Sequence, residues 1–413
     1  MELGWIDFSK SERDKILIIL ENFKEQGVLD ELGIAPIRDG FSDLFFPGTS
    51  TIQTRAKYFF IVPYALKDLE LNSEKSFSQL KKQLDGTEEK CARKLLDINF
   101  HERGIIGRRS IASNKWLKRT PANIYWAGLR RYQIFKAKMS IDQYIKIIAF
   151  QKQNKSDILK LGNRNDENDE QDDKNAGVSQ KVHLLNIPSY NPNWINEFNM
   201  NLTPEEGQFL KNQIISSCRN SMIAYILKEN IYEVLGCNFF RDLESIIDNF
   251  PEKIQNDFYM AKSFSEFVYV LRVIYNLIVS EEGNERAKKE FALLKPRLPN
   301  ISNVNIEEIF SSLRLYNPNL KSFLIKSREL MKDNDVEGLK ILIKSREVFL
   351  KGENRSKTTH PGEFDKNIWF AGGYLDYRFY NAKNIILDIF ESETPDIVKT
   401  YVLEENNREM EGI

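Results

Sequence analysis

Residues 101–140 read HERGIIGRRSIASNKWLKRTPANIYWAGLRRYQIFKAKMS, and two signals in this stretch decide how the chain is read. Thr120 before Pro121 marks a helix start, because proline lacks the N–H that would stay unpaired in a first helical turn anyway. The pattern predicts a short helix over 121–132, with Ile124, Tyr125 or Trp126, and Leu129 packing underneath. Upstream, residues 111–117 leave room for another short helix, joined to the first by a tight connection at Lys118-Arg119-Thr120. Two short helices around a tight turn are the outline of a helix-turn-helix or winged helix, whose second helix enters the major groove while basic residues hold the backbone.

The second signal is charge. The window holds ten lysines and arginines against one acid, Glu102, a net +9. The whole chain carries 59 basic and 60 acidic residues over 413 positions, net −1, so the rest must sum to −10. Near-neutrality is a cancellation, and it does not argue against a polyanionic partner. Trp116, Tyr125, Trp126, Tyr132 and Phe135 are interleaved with the bases, a mixture that suits phosphate contact and packing around a duplex. The candidate DNA-contacting residues are Arg108, Arg109, Lys115, Lys118, Arg119, Asn123, Arg130, Arg131 and Lys136. A basic surface docked on an acidic one, in the same chain or a partner protein, is the alternative, and a solvated face is a third.

Outward from this window the apolar spacing is helical. Ser9 with Glu12 opens a helix that buries Ile16, Leu17, Leu20 and Phe23; residues 33–50 read as a connector with one helical turn. Ser50 with Gln53 predicts a capping box opening a helix that turns Ile52, Ala56, Phe59, Phe60, Leu66 and Leu69 inward, with Pro63 as a kink. A helix over about 75–98 places Phe77, Leu80, Leu84, Cys91, Leu95 and Ile98 on its buried side, and another follows Ser140. Residues 163–175 hold six acids, two bases and no apolar side chain, which predicts a disordered acidic linker and a domain boundary. The expected division is an N-terminal helical domain over 1–162, a linker over 163–177 and a C-terminal helical domain over 178–413.

Thr203-Pro204-Glu205-Glu206 starts the second half, with helices expected at about 204–229, 238–249, 252–262, 264–280, 284–294, 305–316, 319–332, 335–350 and 378–391. Strand signals are confined to Ile105-Ile106 and Val182 to Leu185, so the predicted fold is mainly α and multi-helical, with the helix-turn-helix or winged-helix unit near 101–140.

Catalytic patterns are sparse. His101, His183 and His360 lack metal-ligand spacing, and Cys91, Cys218 and Cys237 are too few and too scattered for a zinc site or a disulfide framework. No metal and no cofactor is expected. Asp39, Asp43, Asp376 and Asp388 serve a magnesium nuclease only if they converge in space. A weaker basic cluster, Lys344, Arg346, Lys351, Arg355, Lys357 and His360, precedes a glycine-rich turn at Gly372-Gly373 and reads as loop and packing, with Asp376 and Arg378 as structural polar residues. Thr49 to Gln53 with Arg55 and Lys57 has the make-up of an anion site at a helix start, or more simply of a capped helix packed into the core. No apolar run is long enough to span a bilayer and the start lacks a secretory signal, so a cytoplasmic location is expected.

Glu2 to Ser9 (ELGWIDFS), Phe46 to Pro63 (FPGTSTIQTRAKYFFIVP), Arg119 to Leu129 and Leu375 to Arg378 resemble a bacterial family catalogued only as a domain of unknown function. The resemblance implies a bacterial cytoplasmic protein encoded among phage-defence or restriction genes, with other defence-system proteins as partners and no established catalytic residues. Together with the charge, it leads to the expectation of a DNA-binding or adaptor component of such a system. A metal-dependent nuclease and a protein-binding scaffold are the alternatives.

Overall fold

The computed structural model describes residues 30–73, 76–112, 117–162, 184–188 and 190–401, with the backbone alone at 112 and 154–162. The protein is mainly helical. Among the described residues there is no strand, only one antiparallel bridge between Phe135 and Leu185. The helix expected after Ser9 lies outside the described residues, as do Val182 and His183. The described residues form two compact units: 30–38 with 259–375, and 39–258 with 376–401. The segment expected as a linker, 163–177, is outside the described residues, and 39–162 and 184–258 on its two sides belong to the same unit.

In the unit of 39–258 and 376–401, the helix Tyr58–Leu71 is the centre, with every residue from Tyr58 to Leu66 buried. A helix buried all round is a core helix, and it runs through Pro63 as one element. The helices Phe77–Ile98 and Pro121–Arg131 pack on it, and Ile141–Gly162 packs on both of these. The helix Pro204–Ser217 lies against Met222–Glu229 and Phe379–Glu393. The capping boxes expected at Ser140/Gln143 and Thr203/Glu206 are both made reciprocally.

Several boundaries differ from the expectation. Residues 50–53 form a turn, not a first helical turn; Gln53 Oε1 accepts from the Ser50 N–H at 3.2 Å, and the helix begins only at Tyr58. Ile52 is accordingly exposed, as is Ile98 at the far end of the next helix. The connector over 33–50 contains a full helix, Ala35–Phe45. The expected helix over 204–229 breaks at Cys218, and Ser221 caps a second one. The pair expected at 252–262 and 264–280 is one continuous helix, Glu252–Val279.

The start of Pro121–Arg131 is built in an unexpected way. Thr120 makes no side-chain cap; Glu88, 1% exposed, reaches across from Phe77–Ile98 and accepts the Ala122 N–H at 2.5 Å. Burial pushes its carboxyl up from 4.5 to about 8, against the opposing pull of the Ala122 N–H. A raised folded-state value means that stability held below the ordinary range is lost as pH rises through about 8. Glu88→Gln keeps the acceptor and removes the titration. Urea unfolding from pH 5 to 9 should show the wild type losing more stability across this window than the variant, with the difference growing up to about pH 8; parallel profiles would remove Glu88 as the cause.

In the unit of 30–38 and 259–375, Glu347 is fully buried and accepts from Tyr275 Oη at 2.7 Å and from Lys351 Nζ, Ser356 Oγ and the Thr358 N–H at 3.0 Å. Lys351 and Lys357 also pair with Glu31, and Arg346 donates to the Leu32 carbonyl. Much of the second basic cluster is therefore engaged in holding this unit together.

Candidate nucleic-acid interface

The loop from Gly48 to Lys57 anchors the basic window. Tyr125 Oη, fully buried, receives the backbone N–H groups of Thr54 and Arg55 at 2.8 and 3.1 Å and donates to the Arg55 carbonyl at 2.8 Å. The Pro121–Arg131 helix meets the loop at Gly128, where a Cβ would stand 2.6 Å from the Gly48 carbonyl; a side chain there would push the two apart. Arg55 is the hub. Its Nε donates to both carboxylate oxygens of Asp388 at 2.8 and 3.0 Å, its Nη1 to Glu102 at 2.6 Å and its Nη2 to Asn201 at 3.1 Å. Asp388 also accepts the Ala56 N–H at 2.6 Å. Lys57 and Glu206, both buried, pair at 2.6 Å. The anion-site reading of this loop is thereby corrected: Arg55 and Lys57 are spent on carboxylates of the protein itself.

The segment 99–107 is tied to the same loop. Thr54 Oγ1 donates to the Gly104 carbonyl at 2.6 Å, and the Ile106 N–H donates to Tyr58 Oη at 2.8 Å. Gly104 has φ +80°, and a Cβ there would lie 2.6 Å from Arg55 Cγ, so glycine is needed on both counts. These contacts fix the short helix Arg108–Ala112 that follows.

Of the nine predicted residues, Lys115 lies outside the described residues. Arg109, Lys118, Arg119, Asn123, Arg131 and Lys136 are exposed, and Arg108 and Arg130 half-buried. Asn123, Ala127 and Arg131 line the exposed side of Pro121–Arg131 at four-residue steps, with Lys118 and Arg119 ahead of its first turn and Lys136 beyond its last. Arg131 Nη1 donates to the Ser217 carbonyl at 3.2 Å, and Asn123 to Thr120 Oγ1 at 3.1 Å. Arg103, Lys118, Arg119, Arg130, Lys136 and Lys138 make no side-chain hydrogen bond or ion pair among the described residues.

One expectation needs correction, and another is not confirmed. Tyr125, Trp126, Tyr132 and Phe135 are core side chains, Trp126 and Phe135 with ring centroids 4.5 Å apart, so they cannot pack around a duplex; Trp116 lies outside the described residues. The helix-turn-helix or winged-helix outline is not visible among the described residues. Positions 113–116 of the expected first helix lie outside the described residues, among the described residues no strand forms a wing, and seven of the eleven residues of Pro121–Arg131 are buried. What that helix offers solvent is a narrow ridge rather than a face that could fill a groove.

The acids proposed for magnesium do not converge. Asp39 and Asp43 share Arg378 at 3.5 and 2.7 Å, Asp376 accepts the Phe240 and Tyr380 N–H groups, and Asp388 holds Arg55. Among the described residues no group of three or more metal-ligating side chains is found. Sequence reasoning missed Glu88, Phe100 and the pairing of Glu206 with Lys57. A single Glu inside the apolar face of a predicted helix, as at position 88, was the available signal for the first.

The chain matches DUF6361, a family of unknown function, over residues 1–290 and belongs to that family. The matched stretch includes the Phe46 to Pro63 and Arg119 to Leu129 motifs, while Leu375 to Arg378 lies beyond it. No curated protein and no solved structure matches the chain. No described helix is long and apolar enough to cross a membrane.

Proposed function

We propose that this protein is a DNA-binding or adaptor component of a bacterial phage-defence or restriction system, and that it holds DNA by its phosphates through the basic surface of residues 101–140. The observation that carries the reading is the contrast between two sets of cations. Arg55, Lys57, Arg346, Lys351 and Arg378 are used up on internal acceptors, whereas Arg103, Lys118, Arg119, Lys136 and Lys138, all exposed, and the half-buried Arg130 have no side-chain partner among the described residues. Cations kept clear of acids in a segment that has one acid favour an external polyanion over internal pairing. The ridge-like shape of the Pro121–Arg131 helix favours backbone contact over base reading. The defence setting rests on the resemblance of the motifs.

Fluorescence anisotropy with labelled DNA tests the proposal. Affinity should fall linearly on a log–log plot against salt. Arg130→Glu with Arg131→Glu should both weaken binding and flatten the slope, by about 0.9 for each duplex phosphate that the variant no longer neutralises. An unchanged urea midpoint would exclude unfolding as the cause. Binding that ignores salt, or survives the double charge reversal, would contradict the proposal.

A further inference from the structure

Beside the short helix Arg108–Ala112 lies a cavity of about 460 Å³ lined by Gly104, Gly107, Arg108, Arg109 and Ser110 among others, within the range of small-ligand pockets. Arg108 is incompletely satisfied there. One terminal nitrogen donates to the Glu102 carbonyl, and the Nε is buried with no hydrogen-bond partner. No carboxylate pairs with Arg108 among the described residues; Glu102, the nearby acid, is engaged by Arg55 at 2.6 Å and by Asn99 at 3.3 Å. A guanidinium with an orphaned buried donor and no counter-charge is a group awaiting an anion. Next to it stands Phe100, 67% exposed, with the Arg108 guanidinium carbon 5.9 Å from its ring centre and His101 edge-on at 5.7 Å. A large ring left in water beside a cation is the combination that stacks a base and holds its phosphate.

We propose that an unpaired nucleotide of single-stranded DNA binds here, its phosphate in the pocket against Arg108 and its base stacked on Phe100, which stands beside Arg108 outside the pocket lining. The inference rests on reading the basic window as a DNA surface, and it narrows the ligand. In a duplex the bases are stacked on one another and cannot reach a ring standing on the protein surface, whereas a single strand presents them freely.

Anisotropy of the full chain with a labelled oligothymidine, the same oligomer with abasic sites, and a duplex of equal length separates the possibilities. Phe100→Ala should weaken oligothymidine binding roughly five- to 150-fold, the range for removing one stacked base, and leave the duplex and abasic ligands unchanged. Phe100→Tyr should restore it. Arg108→Gln should weaken the oligothymidine and abasic ligands alike, because both keep their phosphates. Since Phe100 projects into solvent, its variants should unfold at the wild-type urea concentration. If the wild type binds DNA but Phe100→Ala is without effect, or weakens duplex and single strand equally, this inference fails and the broader reading stands. If the wild type binds none of the three ligands, both fail.

Discussion

Replacing Asp388 with alanine should destabilise the unit of 39–258 and 376–401 by about 3–5 kcal/mol, the usual cost of removing one partner from a buried ion pair. Asp388 is 4% exposed, and it serves two neighbours, the Arg55 guanidinium and the Ala56 N–H. Alanine leaves the arginine without its principal counter-charge and the N–H without an acceptor. Asp388→Asn is the informative companion, because it keeps an acceptor and removes only the charge. Burial pushes the Asp388 carboxyl up to about 7 while Arg55 pulls it down, so below that pH the native side chain is itself neutral. Stability held at acid pH is therefore lost as pH rises towards about 7, and Asp388→Asn has no such titration, so in urea unfolding wild type should lose stability relative to the variant between about pH 4 and 7. A difference between the two that does not change with pH would show that ionising Asp388 costs the folded chain nothing.

The second large effect is expected at Lys57. Its ammonium lies 2.6 Å from Glu206 Oε2, the atom that also accepts the Thr203 N–H in the capping box of Pro204–Ser217. Lys57→Met preserves most of the apolar stem and strands a carboxylate on a residue that is 5% exposed, again costing about 3–5 kcal/mol. Adding Glu206→Gln removes the stranded charge while leaving an oxygen for the cap, so the double variant should be more stable than Lys57→Met alone. If Lys57→Met alone unfolds within about 1 kcal/mol of wild type, the pair is not holding these elements together.

Much of the helical character was legible because it is local. Pro121 after Thr120, the Ser140/Gln143 and Thr203/Glu206 boxes, and the buried stripe of Leu80, Leu84, Cys91 and Leu95 depend on residues a few positions apart. The misread turn at 50–53 shows the limit of such signals. Ser50 and Gln53 make the pattern of a helix start, yet distant residues hold the backbone in another course: Asn381 donates to the Gln53 carbonyl at 2.6 Å, and Tyr125 grips the two residues that follow. The window of positive charge was legible as composition, but the direction in which its aromatic residues face was not. Tyr125 and Tyr132 carry polar tips, yet both rings are buried, and Tyr125 spends its hydroxyl on the backbone of Thr54 and Arg55. Nothing in the identities of its neighbours marks Phe100 as a ring that the chain leaves outside.

The bond between Arg55 and Asp388 joins residues 333 positions apart. At ribosomal speeds of 5–20 residues per second, roughly 20–70 s pass between the appearance of the arginine and that of its aspartate. For that interval the hub of the loop has no principal counter-ion, the Ala56 N–H has no acceptor, and the helix Pro204–Ser217 lacks the partner helix Phe379–Glu393 that covers it. Such a long-range closure raises the entropy cost of reaching the folding transition state and delays it, so nascent chains stopped short of position 388 should be dependent on chaperones in a way that released chains are not.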